Sequence, residues 1–296
     1  MGYEIHPFHD LYTVTGTTVA QTLFKNEQLS IDIFCYYPGN RLIVHQREDE
    51  LHNQLAIIIL EGELDVTIED RCLTLHEHDM LNVRDVYLFE CYAEQRVKLL
   101  YISTGEVKLN YEDDSLKLMV TELEHKDVYT KEHNRRVGRY ATQMMHLLDS
   151  TYNRVTLSYA ATFHDVGKIN VPDEILNKPD RLTDDEFAVI QRHPQDSYTL
   201  IRSHMPEEVA EIAYQHHERL DGSGYPRGLR GDEICLEARI LAVADMFDAM
   251  TTTRSYRAAF PFSKAMEIIR GDMERGKLDA RCVGALQALI DKGAIQ

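Results

Sequence analysis

The residues of this chain whose types and spacing could do chemistry are His164-Asp165, with Lys168 three positions on, and the adjacent pair His216-His217. Neutral imidazoles mixed with carboxylates suit borderline and hard divalent cations, and a bridging carboxylate lets two cations share one site. Such a group is the raw material of metal-dependent phosphate-ester hydrolysis. His133, His193 and Asp245 are further candidates. A single helical histidine is more often a surface or hydrogen-bonded core residue than a ligand, so none of them carries weight alone. Asp245 differs, because it stands in Leu241-Ala242-Val243-Ala244-Asp245-Met246-Phe247, and a carboxylate on an apolar helix face is costly unless paired or metal-bound. His216-His217 is ambiguous by itself: neighbours on an ideal helix point about 100° apart. Both could ligate one cation only at a distortion or a helix end.

Helices must position these side chains. The patterns run Glu132 to Met145 around His133, Leu157 to Phe163 before His164, Phe187 to Arg192 before His193, and Val209 to Gln215 before His216. Facing helices can converge such groups on a bundle core. Thr183-Asp184-Asp185-Glu186 has the capping-box pattern, and Pro206 followed by two glutamates suits a helix start. Ala238 to Met250 is a further helix, and Ser263 and Asp279 are candidate caps for two more. Leu116, Met119, Val120 and Leu123 fall at i, i+3, i+4 and i+7, the stripe of a helix that should join two halves. The first half reads as strands: Ile31–Tyr37, Leu55–Leu60, Leu64–Ile68 and Val97–Ile102, with turn-like breaks at 38–40, 61–63 and 69–71. Short strands at regular spacing favour a small barrel or sandwich. The boundary falls near residue 110, giving domains 1–110 and 111–296.

The chain has 296 residues, 44% apolar and 27% charged, the balance of a globular protein. Its formal net charge of −17 argues against DNA, RNA or an anionic membrane as a general partner, since phosphates want clustered Lys and Arg. A local cleft can still reverse that sign. No apolar run is long enough to span a bilayer, no secretory leader is expected at Met1-Gly2-Tyr3, and five scattered cysteines without a CxxC pair suggest reduced thiols in a cytoplasmic protein.

Together, His133, His164-Asp165-Val166-Gly167-Lys168, Lys178-Pro179, His193-Pro194, the run from His216 to Pro226, and Asp245 with Asp248 resemble an HD-GYP domain, a branch of the HD phosphohydrolase superfamily. The match extends to Arg254 and Arg257. The resemblance implies an all-α HD-type bundle and a phosphodiesterase acting on cyclic di-GMP with two divalent metals, iron or manganese. By family pattern, His133, His164, Asp165 and Asp245 hold one metal, and Asp165 bridges to a second held by His193, His216 and His217. Lys168 would touch a phosphate oxygen, Arg254 and Arg257 would clamp the ligand's phosphates, and Asp221 and Tyr225 would lie at the substrate, Tyr225 packing rather than reacting. Some members carry a Glu four residues before the first histidine and bind a third metal. Here that position is Tyr129, which implies two metals and a linear pGpG product, with onward hydrolysis to GMP as the open alternative.

In the first half, Glu61-Gly62-Glu63 after an apolar strand resembles the centre of a cupin, a small β-barrel. His45 follows Gly39, but Arg47 stands where a second metal-binding histidine belongs, and His52, His76 and His78 do not restore the pattern. The expectation is a degenerate cupin-like domain without catalytic metal, joined by a helical linker and left with sensing or homodimerisation. His76 and His78 would share one face of a strand, although polar turn residues are the commoner reading. Two alternatives to a cyclic di-GMP hydrolase stay open: a binding module that signals by protein contact, for example to a diguanylate cyclase (GGDEF) partner, and a hydrolase of another nucleotide phosphate such as cyclic GMP-AMP.

Overall fold

The computed structural model describes residues 13–15, 18–26, 28–37, 41–45, 54–68, 71–84, 88–104, 108–110, 119–120, 122–123, 126, 128–148, 154–253 and 258–295. Two compact units divide between Asp114 and Ser115. No described helix is long and apolar enough to cross a membrane.

The first unit holds eleven described strands: β1 (Thr13–Thr15), β2 (Thr18–Lys25), β3 (Ser30–Tyr36), β4 (Arg41–His45), β5 (Leu55–Glu61), β6 (Leu64–Ile68), β7 (Arg71–Leu75), β8 (Met80–Val83), β9 (Leu88–Tyr92), β10 (Val97–Ser103) and β11 (Lys108–Asn110). They form two antiparallel sheets, ordered β1-β2-β3-β10-β5-β8 and β11-β4-β9-β6-β7. Of the small barrel or sandwich expected, the described strands make two packed sheets with one shared core and no closed barrel. Period-two alternation explains that core. Val97, Leu99 and Tyr101 of β10, Leu55, Ile57 and Ile59 of β5, and Leu64, Val66, Phe89 and Cys91 of the other sheet bury together. At the turn from β5 to β6, Gly62 has φ +85°, and a Cβ there would lie 2.5 Å from the Arg96 carbonyl oxygen. His76 and His78 occupy the turn between β7 and β8 rather than a strand face; His78 has φ 72°, and His76 pairs with Glu63 at 3.1 Å. Arg47 and His52 lie outside the described residues.

The second unit comprises α1 (Val128–Leu148), α2 (Arg154–Phe163), a 3-10 turn (Val166–Asn170), α3 (Asp173–Leu176), α4 (Asp184–Ile190), α5 (His193–Ile201), α6 (Glu207–Gln215), a second 3-10 turn (Gly231–Glu233), α7 (Leu236–Thr251), α8 (Phe262–Glu274) and α9 (Ala280–Asp291). Thr183 and Glu186 form the reciprocal capping box at α4, and Asp279 caps α9. The cap of α8 is Pro261, not Ser263, which lies inside the helix. Of the linker stripe, Met119 and Val120 are half-buried and Leu123 is buried, while Leu116 lies outside the described residues. Helix α1 packs along α2, α7 and α9. Its buried face runs His133, Asn134, Val137, Tyr140, Ala141, Met144 and Met145, so one helical stripe sets both the packing and the placement of His133. Burying Val137, Met144 and Met145 contributes about 1.5–3 kcal/mol each, which anchors the helix that carries the histidine.

Candidate metal centre

Three of the candidate histidines stand at helix ends. His164 directly follows α2, His193 opens α5 three residues after α4 stops, and His216 directly follows α6. In each, Nδ1 bonds to the carbonyl oxygen three residues back: Ala161 at 2.9 Å, Ile190 at 2.7 Å and Ala213 at 2.5 Å. The last carbonyls of a helix lack intrahelical partners, so a donated Nδ1–H satisfies one and fixes the tautomer. Nε2 is then left as an acceptor facing inward, the form that ligates metal. The adjacent pair is resolved by the same feature: α6 ends at Gln215, and the His216 and His217 rings lie 4.0 Å apart, 42° from coplanar, beyond the regular helix.

His133 is aimed differently. Its Nδ1 lies 2.8 Å from Oδ2 of Asp248, and that fully buried carboxylate also accepts from Arg136 Nε at 2.5 Å. His133 Nε2 is 3.3 Å from Asp245 Oδ1. Asp165 occupies the middle, 2% exposed. Its Oδ1 lies 3.2 Å from His193 Nε2 and 4.0 Å from His216 Nε2. Its Oδ2 lies 3.6 Å from His164 Nε2 and 3.8 Å from His133 Nε2. The two oxygens of one carboxylate thus face two histidine groups.

Three sets of potential ligand atoms, each within 4.8 Å of one another, converge here: His193, His216 and His217; His133, His164 and Asp245; and His164, Asp165 and His216. His164 Nε2 and Asp165 Oδ1 are buried without a hydrogen-bond partner. An unsatisfied buried polar atom costs about 1–3 kcal/mol, more when charged. The donor set therefore fits divalent cations, which would satisfy both orphaned acceptors at once.

Electrostatics divide the cluster. Burial, reinforced by neighbouring imidazoles, holds His216 and His217 well below the ordinary histidine range, and burial lowers His164. Burial also works against ionisation of Asp165, but Lys168, His164 and His193 outweigh it and leave the carboxylate well below its usual range. His133 goes the other way. Burial disfavours its imidazolium, yet hydrogen bonds and charge from Asp245 and Asp248 raise it to about 9. Between about 6.5, the unperturbed value, and 9, metal-free His133 keeps a proton that a cation at Nε2 must displace. Metal loading at pH 7 is therefore expected to release about one proton per chain, and affinity at the His133 side should climb roughly tenfold per pH unit until pH approaches 9. Calorimetry in buffers of different ionisation enthalpy measures this; pH-independent affinity across 6.5–8.5 contradicts it.

The remaining candidates fare unequally. Lys168 Nζ sits 2.5 Å from Asp165 Oδ2, so it neutralises the central carboxylate rather than projecting freely. Asp221 Oδ1 accepts from Ser223 N and Oγ at 2.9 and 2.6 Å and shapes the loop. Tyr225 packs its ring 4.7 Å from that of His217 and 6.5 Å from Phe187, and burial pushes its hydroxyl up. Arg254 and Arg257 lie outside the described residues, and of Tyr129 only its place in α1 is described.

Several supporting residues escaped the sequence reading. Glu218 is 3% exposed and clasps the loop by accepting from Arg227 N at 2.7 Å and Leu229 N at 3.0 Å. Ser197 Oγ accepts from Gly167 N at 2.8 Å. A Cβ on Gly167 would lie 2.3 Å from the His193 carbonyl oxygen, so glycine permits the His164–Lys168 turn to touch α5. Arg136 offered a signal, standing three residues after His133 on the same helix, but its partner Asp248 is remote in sequence.

Residues 117–282, more than half the chain, match the family model described as HD domain. The cyclic di-GMP phosphodiesterase response regulator RpfG of Xanthomonas campestris is 40% identical over 198 residues, covering 65% of this chain and 51% of that protein. The 3'3'-cGAMP-specific phosphodiesterase 1 of Vibrio cholerae is 40% identical over 166 residues, 55% of this chain and 38% of that protein. A cyclic di-GMP phosphodiesterase of Thermotoga maritima is 38% identical over 183 residues, 60% of this chain and 50% of that protein. The chain thus spans about half or less of the length of these relatives. Among solved structures, a cupin superfamily protein from Desulfitobacterium hafniense covers 32% of this chain and 83% of its own at 20% identity, with a TM-score of 0.28.

Proposed function

The chain belongs to the HD domain family, and from that premise we propose that its helical unit is a binuclear, HD-GYP-type phosphodiesterase that opens cyclic di-GMP to linear pGpG. The observation that carries this reading is Asp165, whose Oδ1 faces His193 and His216 while Oδ2 faces His133 and His164. A carboxylate so placed suits a bridge between two cations. In this reading His133, His164, Asp165 and Asp245 would hold one ion, and Asp165, His193, His216 and His217 would hold the other, iron or manganese.

When bound, such a pair supplies charge neutralisation for a phosphodiester and a water acidic enough to attack at neutral pH. The chain's own part is to fix and dry the centre. Helix-end carbonyls and Asp248 hold the imidazoles in orientation, and Lys168, already paired with Asp165, adds positive charge where a phosphoryl oxygen gains negative charge. Tyr225 walls the His217 side. The absence of a glutamate at position 129 supports stopping at the linear dinucleotide. The β-sheet unit is assigned a regulatory role.

Relatives named for cyclic di-GMP and for 3'3'-cGAMP are equally similar, at 40% identity each, so the test carries both substrates. Protein purified without oxygen, its metal quantified, is incubated with each cyclic dinucleotide and the products separated by chromatography. Linear pGpG from protein holding about two divalent ions per chain is expected. Folded, doubly loaded protein that leaves cyclic di-GMP intact but opens 3'3'-cGAMP would reassign the substrate; protein that opens neither would overturn the enzymatic reading.

A further inference from the structure

The 3-10 turn Val166–Asn170 carries Lys168 between two outside supports. At its start, Ser197 Oγ accepts from the Gly167 amide. At its end, Lys126 Nζ donates to the carbonyl oxygen of Ile169 at 2.9 Å and to that of Val171, and lies 3.0 Å from the Asp173 carboxylate. The grip is reciprocal, because Asn177 Nδ2 donates to the Lys126 carbonyl oxygen at 3.0 Å. Lys126 has helical backbone in the segment that precedes α1, and its side chain is only 18% exposed. A 3-10 turn has poor internal hydrogen-bond geometry and leaves its final carbonyls without partners, and a cation there is favourable.

We propose that Lys126 is a positioning residue for the reaction: its ammonium ties the segment preceding α1 to the end of the turn that holds Lys168 against Asp165. The turn itself spans only five residues, so slack at Ile169 and Val171 reaches Lys168 directly. The segment preceding α1 thereby gains a handle on the central carboxylate. The catalytic consequence rests on the hydrolase reading above; the clamp itself does not.

Lys126→Met and Lys126→Arg in the full chain test it, with amide hydrogen exchange, metal content, kcat and KM measured on each. For Lys126→Met, exchange in residues 166–171 should quicken about tenfold or more, the loss expected for a charge-assisted hydrogen bond, while exchange in α9 stays as in the unaltered chain. Its kcat should fall about tenfold with KM within about twofold and metal content unchanged, and Lys126→Arg should recover most of the loss. Unaltered exchange in 166–171 overturns the clamp. Exchange that rises equally in α9, with metal lost, overturns positioning in favour of a purely structural role. If the unaltered chain turns over no cyclic dinucleotide, the hydrolase reading fails separately and the exchange comparison still decides the clamp.

Discussion

Asp165→Ala is expected to cut turnover of the cyclic dinucleotide by about a thousandfold or more, and to leave the folded chain with less than half its metal. Among the described residues, this carboxylate has its two oxygens facing both histidine sets, so its loss would strip a ligand from each side and the charge that would offset two cations together. Stability should move little. A desolvated carboxylate with an orphaned oxygen is a poor stabiliser, and its partner Lys168, 22% exposed, can turn to water. A midpoint of thermal unfolding for metal-free protein within a few degrees of the parent, alongside the loss of turnover, is the expected pairing. Turnover retained within tenfold would remove Asp165 from the centre of the chemistry.

Asp248→Ala should behave in the opposite sense. Asp248 is fully buried and pairs with both His133 and Arg136. Removing it takes the carboxylate partner from His133, only 2% exposed, whereas Arg136, 23% exposed, can turn to water as Lys168 does. Breaking a buried ion pair from one side costs about 3–5 kcal/mol, or about 10 °C in unfolding midpoint for a unit of this size. Metal affinity should fall about tenfold to a hundredfold as well, because His133 loses the partner that orients it. Urea unfolding of the metal-free protein and a metal titration measure the two effects separately. Stability unchanged within about 1 kcal/mol would mean that water replaces the carboxylate at no cost.

The contrast shows what residue types and spacing reveal. The candidate ligand histidines announce themselves by kind and by clustering, and Asp245 by standing in an apolar run. Asp248, three residues on, looks like the polar end of the same helix until its burial against α1 is seen, 112 positions away from Arg136. Glu218 is similar: its two amide partners lie nine and eleven residues downstream, a loop closure that no periodicity encodes. Strands were legible where side chains alternate, as at Leu64–Ile68. The placement of β10 between β3 and β5 was not, because pairing across sixty residues depends on what else fills the sheet. Asp221 has a local role that the spacing allows: an aspartate two residues before a serine is ready to close a turn.

His164, His193 and His216 each lean on a carbonyl in the final turn of the helix just before them. Their aim is therefore written within four residues of chain, and it survives or fails with that helix's last turn. Helix termini fray before helix middles do, so warming or mild denaturant should swing these rings out of line while the bundle is still folded. Cation occupancy would then act as a gauge of terminal fraying, falling in advance of any loss of helix content. A protein assembled this way reports damage at its helix tips as lost metal long before it unfolds.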